Sequence, residues 1–315
     1  MVNGKDSSTI YYTIKIMIKT WETQYLQLLQ KTLDEGEDRV DRTGVGTRAI
    51  FGQRLDINLR EGFPAVTTKK LAWNAMLSEL KWFIEGSGDE RRLAEILHGT
   101  RDSSKKTIWT DNANAEYWKP KAKFEGDLGQ VYGVQWRSWN TGRHVKSTDK
   151  DGHVWHLPET VDQLAQAIDK IRNNPTDRRI IVSAWNVGEL DQMALPPCHM
   201  FFQFFVSNDR TLSMQVYFRS QDLTLGTPFN IASYAALLHL IASITECKPG
   251  RLIMDMGDCH IYKNHIEQVK EQLTRVPLAP PNLQLTLGIN LDFKMSDMVL
   301  LNYKHHPPIK FDMAV

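Results

Sequence analysis

The chain has 315 residues, of which 42% are hydrophobic and 24% charged, and its formal net charge is +1. A charge this close to zero produces no strong field, so neither nucleic acid nor an anionic membrane surface is expected as a partner. Three cysteines without a Cys-x-x-Cys pair argue against a disulfide framework and favour a reducing, cytoplasmic compartment. No apolar run approaches the roughly 20 residues of a membrane span, and residues 1–20 lack the continuous apolar stretch of a signal peptide.

Apolar residues at helical spacing predict helices at 21–36, 72–86, 161–173, 231–246 and 264–275. Alternating or continuous apolar runs predict strands at 47–64, 178–185, 201–207, 211–220, 251–262 and 298–303, the first of them as one or two strands broken by glycine and proline. Asn208 and Asp209 predict a hairpin turn. The polar segments 87–123 and 140–157 are predicted to be irregular loops.

The predicted strands are interleaved with helices along the chain. No repeat or low-complexity linker divides the sequence into two units. These features predict a single α+β domain over residues 21–315, preceded by an accessory extension at residues 1–20.

Cys198 stands between two prolines and a run typical of a buried strand, in the stretch "MALPPCHMFFQFFV". It could be a nucleophile, a metal ligand or a small packed hydrophobe, the common role of a cysteine outside disulfides. Arg178 and Arg179, assigned to the preceding strand, favour a nucleophile because nearby positive charge lowers the pKa of a thiol. A zinc site with Cys259 and His260 lacks the short ligand spacing of tetrahedral sites, so no metal is expected.

Charged residues gather at the ends of predicted strands. Arg219, Ser220 and Asp222 close one strand, and similar clusters stand at 177–179 and 41–44. A guanidinium and a hydroxyl together are typical of a phosphate site, because the first forms paired bonds to two oxygens and the second donates another. Ion-paired strand ends are the alternative for each cluster alone, but three clusters favour a phosphate ligand.

Asn230 precedes the most apolar predicted helix. An asparagine at this place either caps the helix or presents one donor and one acceptor to a pyrimidine edge. The position of Asn230 in the sequence is compatible with both the helix cap and the pyrimidine contact.

Nine motifs in order resemble the thymidylate synthase family over about residues 21–315. They are "DRTGVGT", "GFPAVTTKKL", "SELKWFIEG", "DLGQVYGVQWR", "DRRIIVSAWN", "LPPCHMFFQF", "RSQDLTLGTPFNIASY", "GDCHIYKNH" and the C-terminal "HHPPIKFDMAV". The resemblance implies a homodimer with a large mixed, mostly antiparallel sheet at the subunit interface.

The resemblance also implies a reaction, the methylation of deoxyuridylate (dUMP) to thymidylate (dTMP). The co-substrate is 5,10-methylenetetrahydrofolate, which supplies the carbon and the hydride, and no metal takes part. Cys198 would attack C6 of the pyrimidine and thereby activate C5. Glu79 would serve proton transfers through water, and Tyr132 would assist loss of the C5 proton.

The resemblance assigns the other site residues to the nucleotide or to the folate. In the nucleotide site, Arg178 and Arg179 would come from the partner subunit across the dimer interface, and Asn230 would contact the uracil edge. The full set of nucleotide contacts is Arg42, Arg178, Arg179, His199, Arg219, Ser220, Asn230, His260 and Tyr262. In the folate site, Lys69 would contact the glutamate tail, and the C-terminus would close over the site as a lid. The full set of folate contacts is Lys69, Trp109, Asn112, Leu195, Asp222, Gly226, Phe229 and Val315.

The chain departs from the family pattern at several places. Thr110 follows Trp109 where the family usually has Asp, and Phe218 precedes Arg219 where it usually has Gln. The loop "GSGDERR" replaces a Gly-x-Thr-Asn pattern, and the stretch 282–303 is short. Several departures lie near the expected folate site and lid, which govern the second half of the reaction.

Two alternatives compete with the synthase interpretation, and the first follows from these departures. A hydroxymethylase would add water instead of hydride to the same intermediate, and Cys198 does not discriminate between the two. Trp109, Leu195 and the "MAV" end favour the synthase because they would shield the intermediate from water, and Asn230 disfavours a deoxycytidylate enzyme. A catalytically inactive RNA-binding homologue is opposed by the near-zero charge and by the complete set of site residues.

Overall fold

The computed structural model describes residues 20–41 and 44–312. Within them the α-helices are α1 (Trp21–Glu35), α2 (Trp73–Glu85), α3 (Glu90–His98), α4 (Thr110–Ala113), α5 (Gly133–Arg137), α6 (Gln163–Asn173), α7 (Gly226–Ile244) and α8 (Ile266–Thr274). The strands are β1 (Glu37–Arg39), β2 (Thr47–Asn58), β3 (Trp139–Thr148), β4 (Val154–Val161), β5 (Ile181–Ser183), β6 (His199–Val206), β7 (Thr211–Asp222), β8 (Lys248–Tyr262), β9 (Asn282–Leu285) and β10 (Met298–Leu301).

A six-stranded sheet in the order β1-β2-β8-β7-β6-β5 organises the fold. Its neighbouring strands are antiparallel except for β7 and β8, which are parallel. The sheet is therefore mixed and mostly antiparallel, which confirms the predicted α+β class. The predicted turn at residues 208–209 joins β6 to β7, and the predicted last strand is β10, which pairs with β9.

The strand pairing brings several polar strand ends to one edge of the sheet. Because β7 and β8 are parallel, their carboxyl ends lie side by side, with Asp222 aligned with His260. The antiparallel strand β6 begins at the same edge, since His199 is aligned with Phe218. Cys198, which precedes His199, therefore lies next to the end of β7.

Helix α7 is the central helix of the core. It is apolar on nearly all its faces, as the sequence predicts, and it packs against β7, β8 and α2. Among the described residues it is the one helix long and apolar enough to cross a membrane, yet 67% of that apolar window is buried within the protein. A helix that is hydrophobic all round and buried in this way is typical of the core of a large domain.

Two segments predicted to be irregular contain regular structure. Residues 87–123 contain α3 and α4, and Asp89 caps α3 by accepting hydrogen bonds from the backbone amides of Arg91 and Arg92. Residues 140–157 belong to the β3–β4 hairpin, most of whose side chains are exposed. The hairpin was missed because a strand exposed on both faces has no apolar alternation.

The segment 47–64 forms one strand, β2, followed by a short turn, which is the first of the two predicted possibilities. One smaller prediction needs correction. Arg178 and Arg179 precede β5 and do not lie on it. Both arginines are exposed in the turn that follows α6.

Candidate active site

The backbone on either side of Cys198 is held by Arg219. The Arg219 Nε and Nη2 atoms each donate a 2.8 Å hydrogen bond, to the carbonyl oxygens of Pro197 and Pro196 respectively. The same Nη2 lies 3.9 Å from Cys198 Sγ, and the Arg219 amide donates to the Cys198 carbonyl at 2.9 Å. The half-buried thiol is therefore close to a guanidinium, whose charge favours the thiolate.

The positive charge at the thiol comes from a different arginine than the sequence suggested. We expected Arg178 and Arg179 to lie beside Cys198, but within this chain Arg179 forms an ion pair with Asp177 at 3.0 Å. Arg219 contacts the thiol because the register of β6 and β7 places it there. The resemblance implied a catalytic and phosphate-binding role for Arg219 but not this contact with the thiol, since a contact between strands distant in the chain has no local signal.

Tyr132 lies directly beside the nucleophile candidate. Its hydroxyl oxygen accepts a 2.8 Å hydrogen bond from the Cys198 backbone amide, so the hydroxyl hydrogen is available to a different acceptor. Burial and the neighbouring Cys198 raise the pKa of Tyr132 well above its ordinary value, which keeps it a neutral phenol. Its φ of 26° is a strained backbone conformation of the kind that occurs at functional sites.

Gly133 explains how Tyr132 reaches this position. A Cβ atom at Gly133 would overlap the backbone of Phe83 in α2, so only glycine allows α5 and α2 to approach so closely. The approach stacks the Tyr132 ring on the Phe83 ring, with centroids 5.1 Å apart.

His199 belongs to the aromatic core behind the thiol. Its Nδ1 lies 2.6 Å from the Tyr234 hydroxyl, and its ring is 4.2 Å from that of Tyr132. Burial lowers the pKa of His199 to about 3, so the ring is neutral near pH 7. Phe218, one of the departures from the family pattern, is fully buried and packs on both His199 and Tyr234.

Glu79 is connected to Tyr132 through Trp109. The Trp109 Nε1 atom donates a 2.7 Å hydrogen bond to Glu79 Oε1, and the Trp109 ring packs edge-on against that of Tyr132 at 5.7 Å. Burial raises the pKa of Glu79 to about 7, although its side chain keeps partial access to solvent. A carboxyl group that titrates near neutral pH is suited to both giving and taking protons.

A buried ion pair holds Trp109 against Glu79, and no local pattern in the sequence indicates this pair. Glu90 and Arg91 pair on α3, and Glu90 Oε1 also accepts hydrogen bonds from the hydroxyls of Thr107 at 2.6 Å and Thr110 at 2.7 Å. Thr110 is thus a buried hydrogen-bond donor to Glu90, and it lies in the segment that carries Trp109. The "GDERR" departure and the Thr110 departure are two parts of one cluster, which only their contact in the fold reveals.

Asn230 is the fifth residue of α7 and is not its N-cap. The helix begins at Gly226, so the capping interpretation of Asn230 is wrong. The Asn230 amide nitrogen lies 3.3 Å from Gln221 Oε1, and Gln221 is itself fixed by a 2.8 Å hydrogen bond to the Thr227 hydroxyl. Gln221 therefore orients the Asn230 amide, a role that the sequence did not suggest.

Asp222 ends β7 at the beginning of α7. Its Oδ1 accepts hydrogen bonds from the Thr224 amide at 2.7 Å and the Thr224 hydroxyl at 2.6 Å. Near it lie Gly226 and the half-buried Phe229 at the helix start. Helix N-termini favour negative charge, so this is a suitable place for a carboxylate.

Lys69 lies inside the protein and does not extend into solvent. Its Nζ donates a 2.6 Å hydrogen bond to the Thr224 carbonyl oxygen and lies 4.2 Å from the centre of the Phe311 ring. Burial lowers the pKa of Lys69 to about 8. In this conformation Lys69 connects the Asp222 loop to the C-terminal segment.

The other predicted nucleotide contacts lie along the same edge of the sheet. His260 Nδ1 is 2.9 Å from Asp258 Oδ1, and Asp258 also pairs with Arg39 at 2.6 Å. Ser220 is aligned with Asp258 across the β7–β8 pair, and the Tyr262 ring packs edge-on against His260 at 5.2 Å.

Two further predicted folate contacts are partly buried, and two predicted site residues lie outside the part of the chain that the structure describes. Asn112 and Leu195 are half-buried, and Leu195 packs against the hydrophobic core. Arg42 and Val315 lie outside the described residues, so their predicted roles stay predictions.

The same contacts therefore connect the central groups of the proposed site. Arg219 and Tyr132 hold the Cys198 segment, Tyr132 packs on Trp109, and Trp109 is hydrogen-bonded to Glu79. A thiol next to a cation and a carboxyl group with a pKa near neutral can together perform nucleophilic addition with proton transfer.

Comparison with known proteins agrees with this arrangement. The family model described as thymidylate synthase matches residues 23–315. A thymidylate synthase from Corynebacterium aurimucosum is 45% identical over 297 residues, which cover 93% of this chain and 98% of that relative. The chain therefore belongs to the thymidylate synthase family.

Proposed function

We infer that the cleft around Cys198 is where this chain methylates dUMP to dTMP with 5,10-methylenetetrahydrofolate. Family membership supports the overall reaction. The single observation that supports this assignment of residues is the contiguous set of groups from Arg219 through Cys198 and Tyr132 to Glu79.

The first step is addition of the thiolate to the pyrimidine. Cys198 Sγ forms a bond to C6, and the electron pair of the C5–C6 double bond moves toward C5 and O4. Arg219 stabilises the thiolate before attack, because its guanidinium already lies next to the sulfur. Its charge is also available to the phosphate of the nucleotide, together with the Ser220 hydroxyl.

Glu79 serves the proton transfers that accompany addition. A pKa of about 7 leaves the carboxyl group partly protonated at neutral pH, so it can protonate the developing oxygen at C4 and later take the proton back through water. The Tyr132 hydroxyl, whose own hydrogen is not used by Cys198, is placed to relay the proton lost from C5.

The folate takes part in the remaining steps. C5 bonds to the methylene carbon, and loss of the C5 proton with cleavage of the bond to the folate nitrogen leaves an exocyclic methylene group. Hydride from tetrahydrofolate then reduces that group, and Cys198 departs from C6, which yields dTMP and dihydrofolate. Asp222 is the carboxylate we assign to the pterin, with Trp109 and Leu195 excluding water from the intermediate.

The hydroxymethylase alternative is not favoured. The matching family model and the relative in Corynebacterium aurimucosum are both thymidylate synthases. Thr110 and Phe218, the two departures from the family pattern nearest the site, also have structural explanations. The Thr110 hydroxyl donates a hydrogen bond to Glu90, and Phe218 fills the core. They therefore give no reason to admit water at the exocyclic methylene group.

We propose that the chain works as a homodimer through the face of the sheet away from α7. On β6 the exposed side chains of Phe201, at 39%, and Phe205, at 68% of full accessibility, alternate with Phe202 and Phe204, which are buried in the core. Exposed apolar patches of this kind mark interaction surfaces. Arg178 and Arg179, exposed at the end of the same sheet, would then reach the phosphate in the opposite site.

Complementation tests the exchange of arginines between subunits. A Cys198→Ser chain and an Arg178→Ala/Arg179→Ala chain are each expected to be nearly inactive alone. In a mixed dimer, one site combines an intact Cys198 with intact arginines, so mixing restores activity. Absence of restored activity in a verified mixed dimer would contradict the proposed exchange.

We also propose that residues 21–315 form the catalytic domain and that the enzyme works in the cytoplasm. Product analysis tests the reaction itself. Incubation with dUMP and methylenetetrahydrofolate should give dTMP and dihydrofolate in equal amounts, and Cys198→Ser should give neither. A hydroxymethyl product without dihydrofolate would overturn the proposal.

A further inference from the structure

A chain of buried polar groups connects Asp222 to the C-terminal segment. The Thr224 hydroxyl oxygen lies 2.6 Å from Asp222 Oδ1 and 2.8 Å from His265 Nδ1. The other ring nitrogen, His265 Nε2, lies 2.7 Å from the backbone carbonyl oxygen of Asp312. Thr224 and His265 are completely buried, so water does not replace a missing hydrogen-bond partner.

The number of hydrogens that these bonds require follows from the chemistry of each group. The carbonyl oxygen of Asp312 only accepts, so His265 Nε2 must carry a hydrogen. An ionised Asp222 also only accepts, so the Thr224 hydroxyl must donate its single hydrogen to Asp222. The bond between Thr224 and His265 must then come from a hydrogen on Nδ1, which makes the ring an imidazolium.

One alternative satisfies the same three bonds. If Asp222 were protonated and donated to Thr224, the hydroxyl would donate to a neutral His265. Both arrangements contain the same number of hydrogens, one more than an ionised Asp222 beside a neutral His265. The backbone amides favour the first, because Asp222 Oδ1 also accepts from the Thr224 amide at 2.7 Å and from the Leu225 amide at 3.3 Å, as a carboxylate does.

We propose that Asp222, Thr224 and His265 form a relay that holds one shared proton and links the folate site to the C-terminal segment. The relay itself follows from the hydrogen-bond geometry, whereas its use in catalysis rests on the proposed function. Thr224 and His265 are positioning residues, because they act on the folate through Asp222. When Asp222 receives the Thr224 hydrogen, Thr224 takes the Nδ1 hydrogen of His265, and the net result is one proton moved from His265 to Asp222.

The relay keeps the C-terminal segment in place in both states. His265 Nε2 retains its hydrogen whether the ring is charged or neutral, so the bond to the Asp312 carbonyl persists. Phe311, next to Asp312, packs edge-on against the His265 ring at 5.1 Å. Proton transfer to Asp222 therefore does not require release of this segment.

Among the residues that the structure describes, a few titratable groups face the relay from neighbouring elements. The ammonium group of Lys69 points to the Thr224 carbonyl oxygen, and its attraction to Asp222 opposes the lowering of the Lys69 pKa by burial. Burial also raises the pKa of Tyr25, so this neighbour of Asp222 is neutral. The other titratable groups around the relay are the Tyr262 phenol, whose ring is 5.7 Å from His265, and the surface pair of Lys310 and Asp312 at 3.0 Å.

Nitrogen-15 NMR of the histidine rings in the unliganded enzyme tests the shared proton directly. At pH 7.5 both ring nitrogens of His265 should show the shifts of protonated nitrogens, and a His265→Gln variant assigns the signal. His239 is an internal reference, because burial lowers its pKa to about 4 and it should appear neutral. A neutral His265 together with an ionised Asp222, as read from the carbon-13 shift of the Asp222 carboxyl group in the same sample, would overturn the relay.

A matched pair of substitutions tests its use in catalysis. Thr224→Val removes the hydroxyl at similar volume, so His265 should become neutral and the KM for methylenetetrahydrofolate should rise about tenfold or more, the loss expected for a hydrogen bond to a charged group. The KM for dUMP should change little, and Thr224→Ser should recover the folate KM. An unchanged folate KM in Thr224→Val would contradict this role.

The two proposals fail in different ways. If Cys198→Ser abolishes turnover while wild-type His265 is neutral and Asp222 is ionised, the relay is wrong and the proposed function stands. If His265 is charged while Cys198→Ser retains turnover, the relay stands and the proposed function is wrong. The NMR measurement uses the wild-type protein, so it decides on the relay even if Thr224→Val does not fold.

Discussion

Glu79→Gln separates the stability cost of a buried carboxyl group from its catalytic value. Burial raises the pKa of Glu79 from 4.5 to about 7, and each pKa unit corresponds to about 1.4 kcal/mol. Ionisation of Glu79 therefore lowers the free energy of unfolding by at most about 3.4 kcal/mol, the value that corresponds to a pKa raised by about 2.5. Because the side chain keeps some access to solvent, we expect about 2 kcal/mol.

The sign of this effect follows from proton binding. A carboxyl group with a raised pKa holds its proton more tightly in the folded state than in the unfolded state. Between pH 4.5 and pH 7 the folded protein therefore binds more protons, and the free energy of unfolding falls as the pH rises. Glutamine stays neutral and can still accept the hydrogen bond from Trp109, so the variant escapes this loss.

Urea unfolding of wild type and Glu79→Gln at pH 5 and pH 8 is the assay. The variant should be more stable than wild type by about 2 kcal/mol at pH 8 and about equally stable at pH 5, while kcat falls by about 10²- to 10⁴-fold because the proton shuttle is lost. Glu85→Gln is the matched control on the same helix, since ion pairs with Arg92 and Lys81 lower the pKa of Glu85. That control should be less stable than wild type at pH 8. A Glu79→Gln protein with unchanged or lower stability at pH 8 would refute the reasoning.

Three further outcomes are expected. Tyr132→Phe removes the acceptor of the Cys198 amide and the C5 proton relay, so release of tritium from 5-tritiated dUMP should slow about 10²-fold; an unchanged rate would exclude Tyr132 from proton transfer. Glu90→Gln breaks the buried pair with Arg91 and should lower the free energy of unfolding by about 3–5 kcal/mol in a urea titration; a loss below about 1 kcal/mol would show that the pair is not a structural support of Trp109. Activity should decrease on the acid side of a pH–rate profile because a thiol is a much weaker nucleophile than a thiolate, and a flat profile would count against Cys198 as a thiolate.

The order of elements was largely predictable because most of them have a strong apolar period. Helix α7 buries most of its side chains and strands β6, β7 and β8 bury about half of theirs, so these sequences are almost uniformly apolar or alternate clearly. The β3–β4 hairpin and helix α3 were missed for the opposite reason. The hairpin is mostly exposed, and α3 is a short polar helix whose buried residues include the paired Glu90 and Arg91.

The members of the site were predictable from motifs, but their contacts were not. Cys198 and Arg219 are 21 residues apart, and Glu79 and Trp109 are 30 apart, so no local pattern indicates either pair. The partners of predicted residues were missed for the same reason, as with Gln221 beside Asn230. Lys69 shows the converse case, because a lysine in a motif gives no sign that it is buried against Phe311.

The most direct test of the central claim is identification of the residue that bonds to the pyrimidine. The analogue 5-fluoro-dUMP has fluorine where the C5 proton must leave, so with methylenetetrahydrofolate the covalent complex should accumulate and be visible by intact-protein mass spectrometry. Peptide mapping is predicted to place the adduct on Cys198. Buried Cys259, whose pKa burial raises to about 12, and Cys247 should be unmodified. An adduct on either of these, or no adduct at all, would contradict attack by Cys198 on C6.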